Sequence, residues 1–187
     1  MKKSSPKAYY GLIVGASVVG LVASFMQLLD KLAHLKNPTA NLACNISSVF
    51  NCSNVLDAWQ SSFFGFPNSI MCIIFFSVML GVALVGASGS SIGKVLRLVM
   101  HFFAVFFLFF GAWYLWQSIY VIETVCIYCL FCYAGVIVMN FAWKRLNVAD
   151  FKLGKYSQRA IDRNWDIVFW LAWASAFVIM IITQFYL

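Results

Sequence analysis

Five stretches of about twenty residues, almost free of charge, limit this chain's fold more sharply than any other feature. They run over residues 10–29, 68–87, 95–116, 124–143 and 165–185. A helix rising about 1.5 Å per residue needs about 20 apolar residues to cross roughly 30 Å of hydrocarbon, so each stretch is long enough to span a bilayer once. Arg97 lies near the start of the third, where its long stem can carry the charge to the interface. Hydrophobic residues make up 63% of the chain and charged ones 10%, against about 25% charged in an ordinary soluble domain. So little polar surface excludes a soluble enzyme, a disordered tail and a disulfide-dense secreted miniprotein. The expectation is an all-α integral membrane protein, one membrane domain over residues 1–187. Aromatic residues at several span ends (Tyr9, Tyr10, Trp113, Trp116, Trp143, Trp165, Tyr186) fit the headgroup layer.

The net charge of +7 reports orientation before it reports a partner, and no nucleic-acid role is expected. Lys2, Lys3, Lys7, Lys94, Arg97, Lys144, Arg145, Lys152, Lys155, Arg159 and Arg163 fall on one side; only Lys31 and Lys36 fall on the other. The positive-inside rule puts the N-terminus inside and the C-terminus outside. The first apolar run is too long for the core of a signal peptide and is read as a retained span. Residues 144–164 form a basic inner connection, and residues 30–67 a long outer segment that is a functional suspect by its length alone. Two glycosylation sequons there, at Asn45 and Asn51, are read as chance matches.

Four of the six cysteines gather at the outer face. Cys44 and Cys52 lie in the outer segment, and Cys126 and Cys129 form a C-x-x-C at the outer end of the fourth span. With Thr124 as N-cap, Cys126 falls in the first helical turn, where free amides and the helix dipole favour the thiolate; Glu123 partly opposes this. Spacing i,i+3 puts both sulfurs on one face, Cys129 about 4.5 Å deeper, and Tyr133 continues that stripe into the membrane. A static staple, or two thiols packed as small hydrophobes, is the competing reading, but a bridge across one helical turn closes too short a loop to stabilise much. Cys44 and Cys52 alone fit an ordinary structural disulfide equally well; a second dithiol at the same face favours exchange between the pairs. Zinc bound by all four needs stable thiolates in an oxidising compartment, and no metal is expected. Cys72 and Cys132, inside spans, are read as buried apolar side chains, and His101 is given no redox role.

The segment Cys44–Cys52 with Ser53, Val55 and Trp59, then Gly65-Phe66-Pro67-Asn68-Ser69-Ile70, then Cys126-Ile127-Tyr128-Cys129 with Tyr133-Ala134, resembles the vitamin K epoxide reductase family over roughly residues 8–145. The resemblance implies a four-helix bundle around a quinone, here followed by a fifth transmembrane helix. It implies that Cys44 exchanges with an external thioredoxin-like protein, that Cys52 passes electrons to Cys126, and that Cys129 faces the quinone. Asn68 and Tyr133 match the family's ligands to the quinone carbonyls; Asn68 also fits a helix N-cap, and Tyr133 a buried aromatic. Of the phenylalanines of the third span, some fit a quinone wall, while most face lipid or other helices.

The fifth span and short basic loops look bacterial, which favours ubiquinone or menaquinone over vitamin K and places the redox site on the periplasmic side of an inner membrane. Some bacterial members carry a fused thioredoxin-like domain. Because this chain stops at Leu187, a separate extracytoplasmic thioredoxin-like (DsbA-like) protein is expected to supply electrons. The expected function is a quinone-dependent thiol oxidoreductase supporting disulfide formation. Alternatives are a reductase of vitamin K quinone or its epoxide by the same relay, and a tetraspan scaffold with a structural loop disulfide. The scaffold leaves Cys126 and Cys129 unexplained, and a transporter lacks the mid-membrane ionisable groups it would need.

Overall fold

The computed structural model describes residues 5–39, 42–151, 159 and 163–187. Lys2, Lys3, Lys152 and Lys155, which entered the orientation argument, lie outside the described residues. Among the described residues the chain is helical without strands: α1 (Pro6–Lys36), α2 (Cys52–Asp57), a 3-10 turn (Trp59–Ser62), α3 (Asn68–Ala87), α4 (Lys94–Tyr120), α5 (Ile127–Phe151) and α6 (Trp165–Phe185). Helices α1, α3, α4, α5 and α6 are each long and apolar enough to cross a membrane. They correspond one to one with the five apolar stretches.

Helix α1 lies between α3 and α5, and α4 lies against α5. The rings of Phe75 and Phe107, stacked at 4.1 Å, join α3 to α4 and complete a four-helix bundle. The reason α1 takes the central place is written in its buried face: Ile13, Ala16, Ser17, Gly20, Ala23, Ser24 and Gln27 recur at three- and four-residue intervals and are mostly small. Between helices in lipid the hydrophobic effect drives little, so association depends on close van der Waals contact, which small residues permit. A Cβ added at Gly20 would sit 2.3 Å from the Phe76 ring, and one added at Gly135 would sit 3.1 Å from the Ala16 carbonyl. The Ser24 hydroxyl satisfies itself on the Gly20 carbonyl at 2.8 Å. The opposite face of α1, with Val18, Val19, Val22 and Phe25, is exposed and apolar, as a lipid-facing surface must be.

Helix α6 packs on the outside of the bundle against α5 and α4. The fifth apolar stretch carries an acid, Asp166, in its first turn. It is buried, and Arg145 of α5 grips both its oxygens, Nη2 to Oδ1 at 2.6 Å and Nε to Oδ2 at 2.7 Å. Two parallel charge-assisted bonds neutralise a carboxylate that lipid would otherwise exclude.

The helix ends depart from the apolar boundaries. Helix α1 continues beyond Leu29 to Lys36 and stops at Asn37-Pro38, where the proline disfavours helical geometry at the residue before it. Helix α4 runs on to Tyr120, and α5 begins at Ile127 and extends past Trp143. Hydropathy marks the slab of hydrocarbon; a helix persists into the aqueous layer for as long as its backbone stays paired. Part of the supposed outer loop is therefore helix, and that extension carries Lys31 and His34. The Lys31 ammonium donates to the Leu56 carbonyl, and His34 Nε2 lies 2.9 Å from Asp57 Oδ1, so α1 ties α2 across the end of the bundle.

Gly20→Val forces two methyl groups into the Phe76 ring. It should destabilise the α1–α3 contact by about 1–3 kcal/mol, seen as a lower thermal unfolding midpoint in detergent.

Candidate active site

The segment after α1 folds by satisfying its own polar groups. Asn45 Oδ1 accepts from the backbone N–H of Cys52 at 2.9 Å and of Ser53 at 3.2 Å, and its amide nitrogen donates to Ser53 Oγ at 2.8 Å. Asn51 caps α2 by accepting from Asn54 N–H. Both sequon asparagines thus spend their side chains on local structure. Beneath them Leu42, Cys44, Cys52, Val55 and Leu56 form an apolar cluster with Tyr114 and Cys126. One backbone bond, from Val125 N–H to the Val49 carbonyl at 2.8 Å, fastens this lid to the strand of chain entering α5.

Cys44 and Cys52 are joined in a disulfide, while Cys126 and Cys129 are free. The Cys52 sulfur lies 3.3 Å from that of Cys126, and both residues are buried. Cys44, also buried, has its sulfur 3.2 Å from Asp30 Oδ2. The Cys126 and Cys129 side chains are hydrogen-bonded, and this bond holds the Cys126 thiol below its ordinary value against the opposing pull of burial. Gln27 Nε2 donates to the Cys129 sulfur at 3.3 Å. Four sulfurs therefore run in an unbroken file from the lid to the bundle interior.

At the inner end of that file is a cavity between α1, α3, α4 and α5. Its wall includes Cys129, Gln27, Asn68 and Tyr133, with Phe76, Phe107 and Phe110 supplying apolar surface. Asn68 donates from Nδ2 to the Gln60 carbonyl at 2.6 Å, which leaves its buried Oδ1 without a partner; the buried Tyr114 hydroxyl, also on the wall, is likewise unpaired. Buried polar groups ordinarily find partners, so unpaired ones facing a cavity indicate where a bound polar group would complete the set. Aromatic walls, a Tyr114 hydroxyl able to donate and a thiol fit a flat ring bearing oxygens, as in a quinone, while Asn68 Oδ1, which only accepts, fits a hydroxyl of the reduced quinol form. Among the described residues no cluster of His, Cys, Asp and Glu could hold a metal ion.

Several expectations need correcting in detail. Thr124 does not cap α5: its hydroxyl is buried and unpaired, and its carbonyl accepts from Ser118. The helix starts at Ile127, so Cys126 stands just before the first turn, its carbonyl accepting from the N–H groups of Cys129 and Leu130. Asn68 is not an N-cap either; Pro67 holds that position and Asn68 opens α3. Cys72 and Cys132 pack with the apolar core as read, and both also line the cavity, Cys132 with its sulfur 3.6 Å from the Gly20 carbonyl. Phe107 and Phe110 are on the cavity wall, whereas Phe102, Phe103, Phe106 and Phe109 are exposed. His101 sits at the far end of α4 beside Asn147.

Gln27, Asp30, Gln60 and Tyr114 were missed by sequence reasoning. For Gln27 a signal existed: it is the one amide on the small-residue face of α1. Asp30, on α1, gains its meaning only when the lid brings Cys44 against it, Gln60 is carried in by the lid itself, and one tyrosine among eight carries no mark.

No curated protein matches the chain. The model of the vitamin K epoxide reductase family matches residues 11–143, which takes in the lid, all four sulfurs and the bundle through most of α5, and leaves α6 outside. Proteins of that family are membrane oxidoreductases that act on thiols and disulfides with quinones and work with thioredoxin-like partners. By the extent of that match and by its helical membrane architecture, this chain belongs to the vitamin K epoxide reductase family.

Proposed function

We propose that the protein is a quinone-dependent thiol oxidase that draws electrons from a separate thioredoxin-like protein and thereby supports disulfide formation. The reading is carried by one observation: the lid disulfide touches the helix thiol, Cys52 to Cys126 at 3.3 Å, while Cys129 borders the cavity. A scaffold protein with a structural loop disulfide has no use for that contact.

A thiolate of the partner attacks the Cys44 sulfur and expels Cys52 as a thiolate. The partner's second thiol then breaks the mixed disulfide, leaving the partner oxidised and Cys44 reduced. Cys52 attacks Cys126 of an oxidised Cys126–Cys129 pair, and Cys129 departs as a thiolate. Cys44 next attacks Cys52, the lid disulfide reforms and Cys126 is released, so two electrons have moved inward. Each exchange is a thiolate displacement on a disulfide sulfur. Asp30, beside Cys44, is positioned to take a thiol proton, and the Gln27 amide steadies charge on Cys129 as it leaves. A bound quinone supplies the sink for two electrons and two protons. Asn68, through its second Nδ2 hydrogen, and the Tyr133 hydroxyl would donate to its oxygens, and the lid would keep water from the thiolates. The bias of basic residues toward the sequence segments that alternate with the cysteine-bearing ones supports a site outside the cytoplasm, and we read it as the periplasmic face of a bacterial inner membrane, with ubiquinone or menaquinone as acceptor.

Anaerobic mixing of the purified protein with a reduced thioredoxin-like protein and ubiquinone or menaquinone tests the proposal by quinone absorbance. Stoichiometric quinol formation is expected; its absence with both quinones defeats the reading. Cys129→Ser should end quinone reduction and accumulate a Cys52–Cys126 bridge, detected by mass spectrometry of alkylated peptides. Cys44→Ser should stop oxidation of the protein partner while small dithiols still drive quinone reduction through Cys126–Cys129. Tyr133→Phe should raise the apparent quinone KM by about fivefold, the worth of one hydrogen bond, weakening quinone use more than it lowers the unfolding midpoint.

A further inference from the structure

Tyr133 is held from three sides. A Cβ added at Gly111 of α4 would lie 2.6 Å from its ring, so the ring rests directly on the α4 backbone. Phe177 of α6 meets it edge to face at 4.9 Å. Trp173, one turn earlier on α6, donates from its indole Nε1 to the Tyr133 hydroxyl oxygen at 2.9 Å. Two of the three supports come from the helix outside the family match.

The Trp173 contact has a fixed polarity. An indole nitrogen only donates, whereas a phenol hydroxyl has one proton to give and lone pairs to receive. With Trp173 occupying the acceptor side of the oxygen, the Tyr133 proton must be directed elsewhere, and Tyr133 borders the cavity that also contains Cys129 and Asn68. A quinone oxygen needs exactly a donor there. The packing of α6 argues the same way. It is the least buried of the membrane helices, with 11% of its most apolar window inside the protein, against 22% or more for the others. Its side-chain polar ties to the bundle are few: Arg145 to Asp166 at the end far from the cysteines, and Trp173 to Tyr133 beside the cavity. A peripheral helix that contributes little burial thus directs one hydrogen bond at the wall of the candidate site.

We infer that Trp173 is a positioning residue of the quinone site: by donating to the Tyr133 oxygen, its indole N–H turns the phenol proton toward the bound ring. The inference rests on the proposed role of Tyr133 as a quinone ligand. Helix α6 then supports the quinone site from behind Tyr133 and is not only a fifth crossing of the membrane.

The test is a cycle of four proteins: the wild type, Tyr133→Phe, Trp173→Phe and the double variant. Each is titrated calorimetrically with a short-chain ubiquinone and assayed for quinone KM and kcat. Each single substitution should weaken ubiquinone affinity by about fivefold, with KM rising and kcat held, and the double variant should bind no more weakly than Tyr133→Phe alone. Such non-additivity marks two groups acting through one bond, which general loosening of the helix does not produce. If Trp173→Phe leaves affinity unchanged, or weakens it equally with and without the Tyr133 hydroxyl, the inference is overturned while Tyr133 stands as a ligand. If Tyr133→Phe leaves affinity unchanged, the ligand reading of Tyr133 falls and the inference falls with it. Should Trp173→Phe fail to accumulate in the membrane, the same cycle with Trp173→Met, which also lacks a donor, is decided by the same outcomes.

Discussion

Two sulfurs 74 residues apart in the chain are in contact at 3.3 Å, and much of the architecture at the cysteine end of the molecule serves to keep Cys52 against Cys126. Thiol exchange proceeds by displacement at sulfur, so the donor and acceptor segments must be held in reach of each other. The lid is anchored from three directions. Helix α1 extends beyond the apolar zone and binds α2 through Lys31 and His34. The chain entering α5 is joined to it by the Val125–Val49 backbone bond. Gln60 in the 3-10 turn bonds to Gln117 of α4 and to Asn68 at the head of α3. Each of the four bundle helices therefore holds some part of the lid or of the chain beside it.

The same anchors bury the sulfurs. Cys52 and Cys126 lie in an apolar cluster with Val55, Leu56 and Tyr114. Burial raises the cost of a thiolate, so in the proposed relay any charge on these sulfurs must be met by local donors. The Cys126–Cys129 hydrogen bond and the Gln27 amide are the donors in place, one at each end of the C-x-x-C pair. A membrane protein has few polar side chains to spend, and their concentration here contrasts with the phenylalanines that α4 presents to lipid.

Helix α6 fits this pattern from the outside. It lies beyond the family match, buries little surface and carries one buried ion pair that lets its first turn enter the bundle without an isolated charge. Its tryptophan meets the tyrosine that borders the cavity. The core of four helices therefore contains the sulfur file and the cavity wall, and the fifth helix reaches that wall through Tyr133, at its hydroxyl and its ring.

Much of this was legible before any coordinates. The five apolar stretches determined five membrane helices because hydrocarbon demands a fixed length of paired, apolar backbone. The residues of the outer segment and the C-x-x-C carried the family, and Cys44, Cys52, Cys126 and Cys129 were identifiable by type and spacing. Helix ends were not, since α1 passes Leu29 and α5 starts at Ile127 on grounds of backbone pairing that hydropathy does not report. Nor were Asp30 and Trp173, whose significance lies entirely in what they touch, while Gln27 was marked only as the one amide on the small-residue face of α1. One dimension records which side chains are chemically able to act. Only the folding of the lid over the bundle, and of α6 against α5, decides which sulfur, amide or indole comes within hydrogen-bonding distance of which partner.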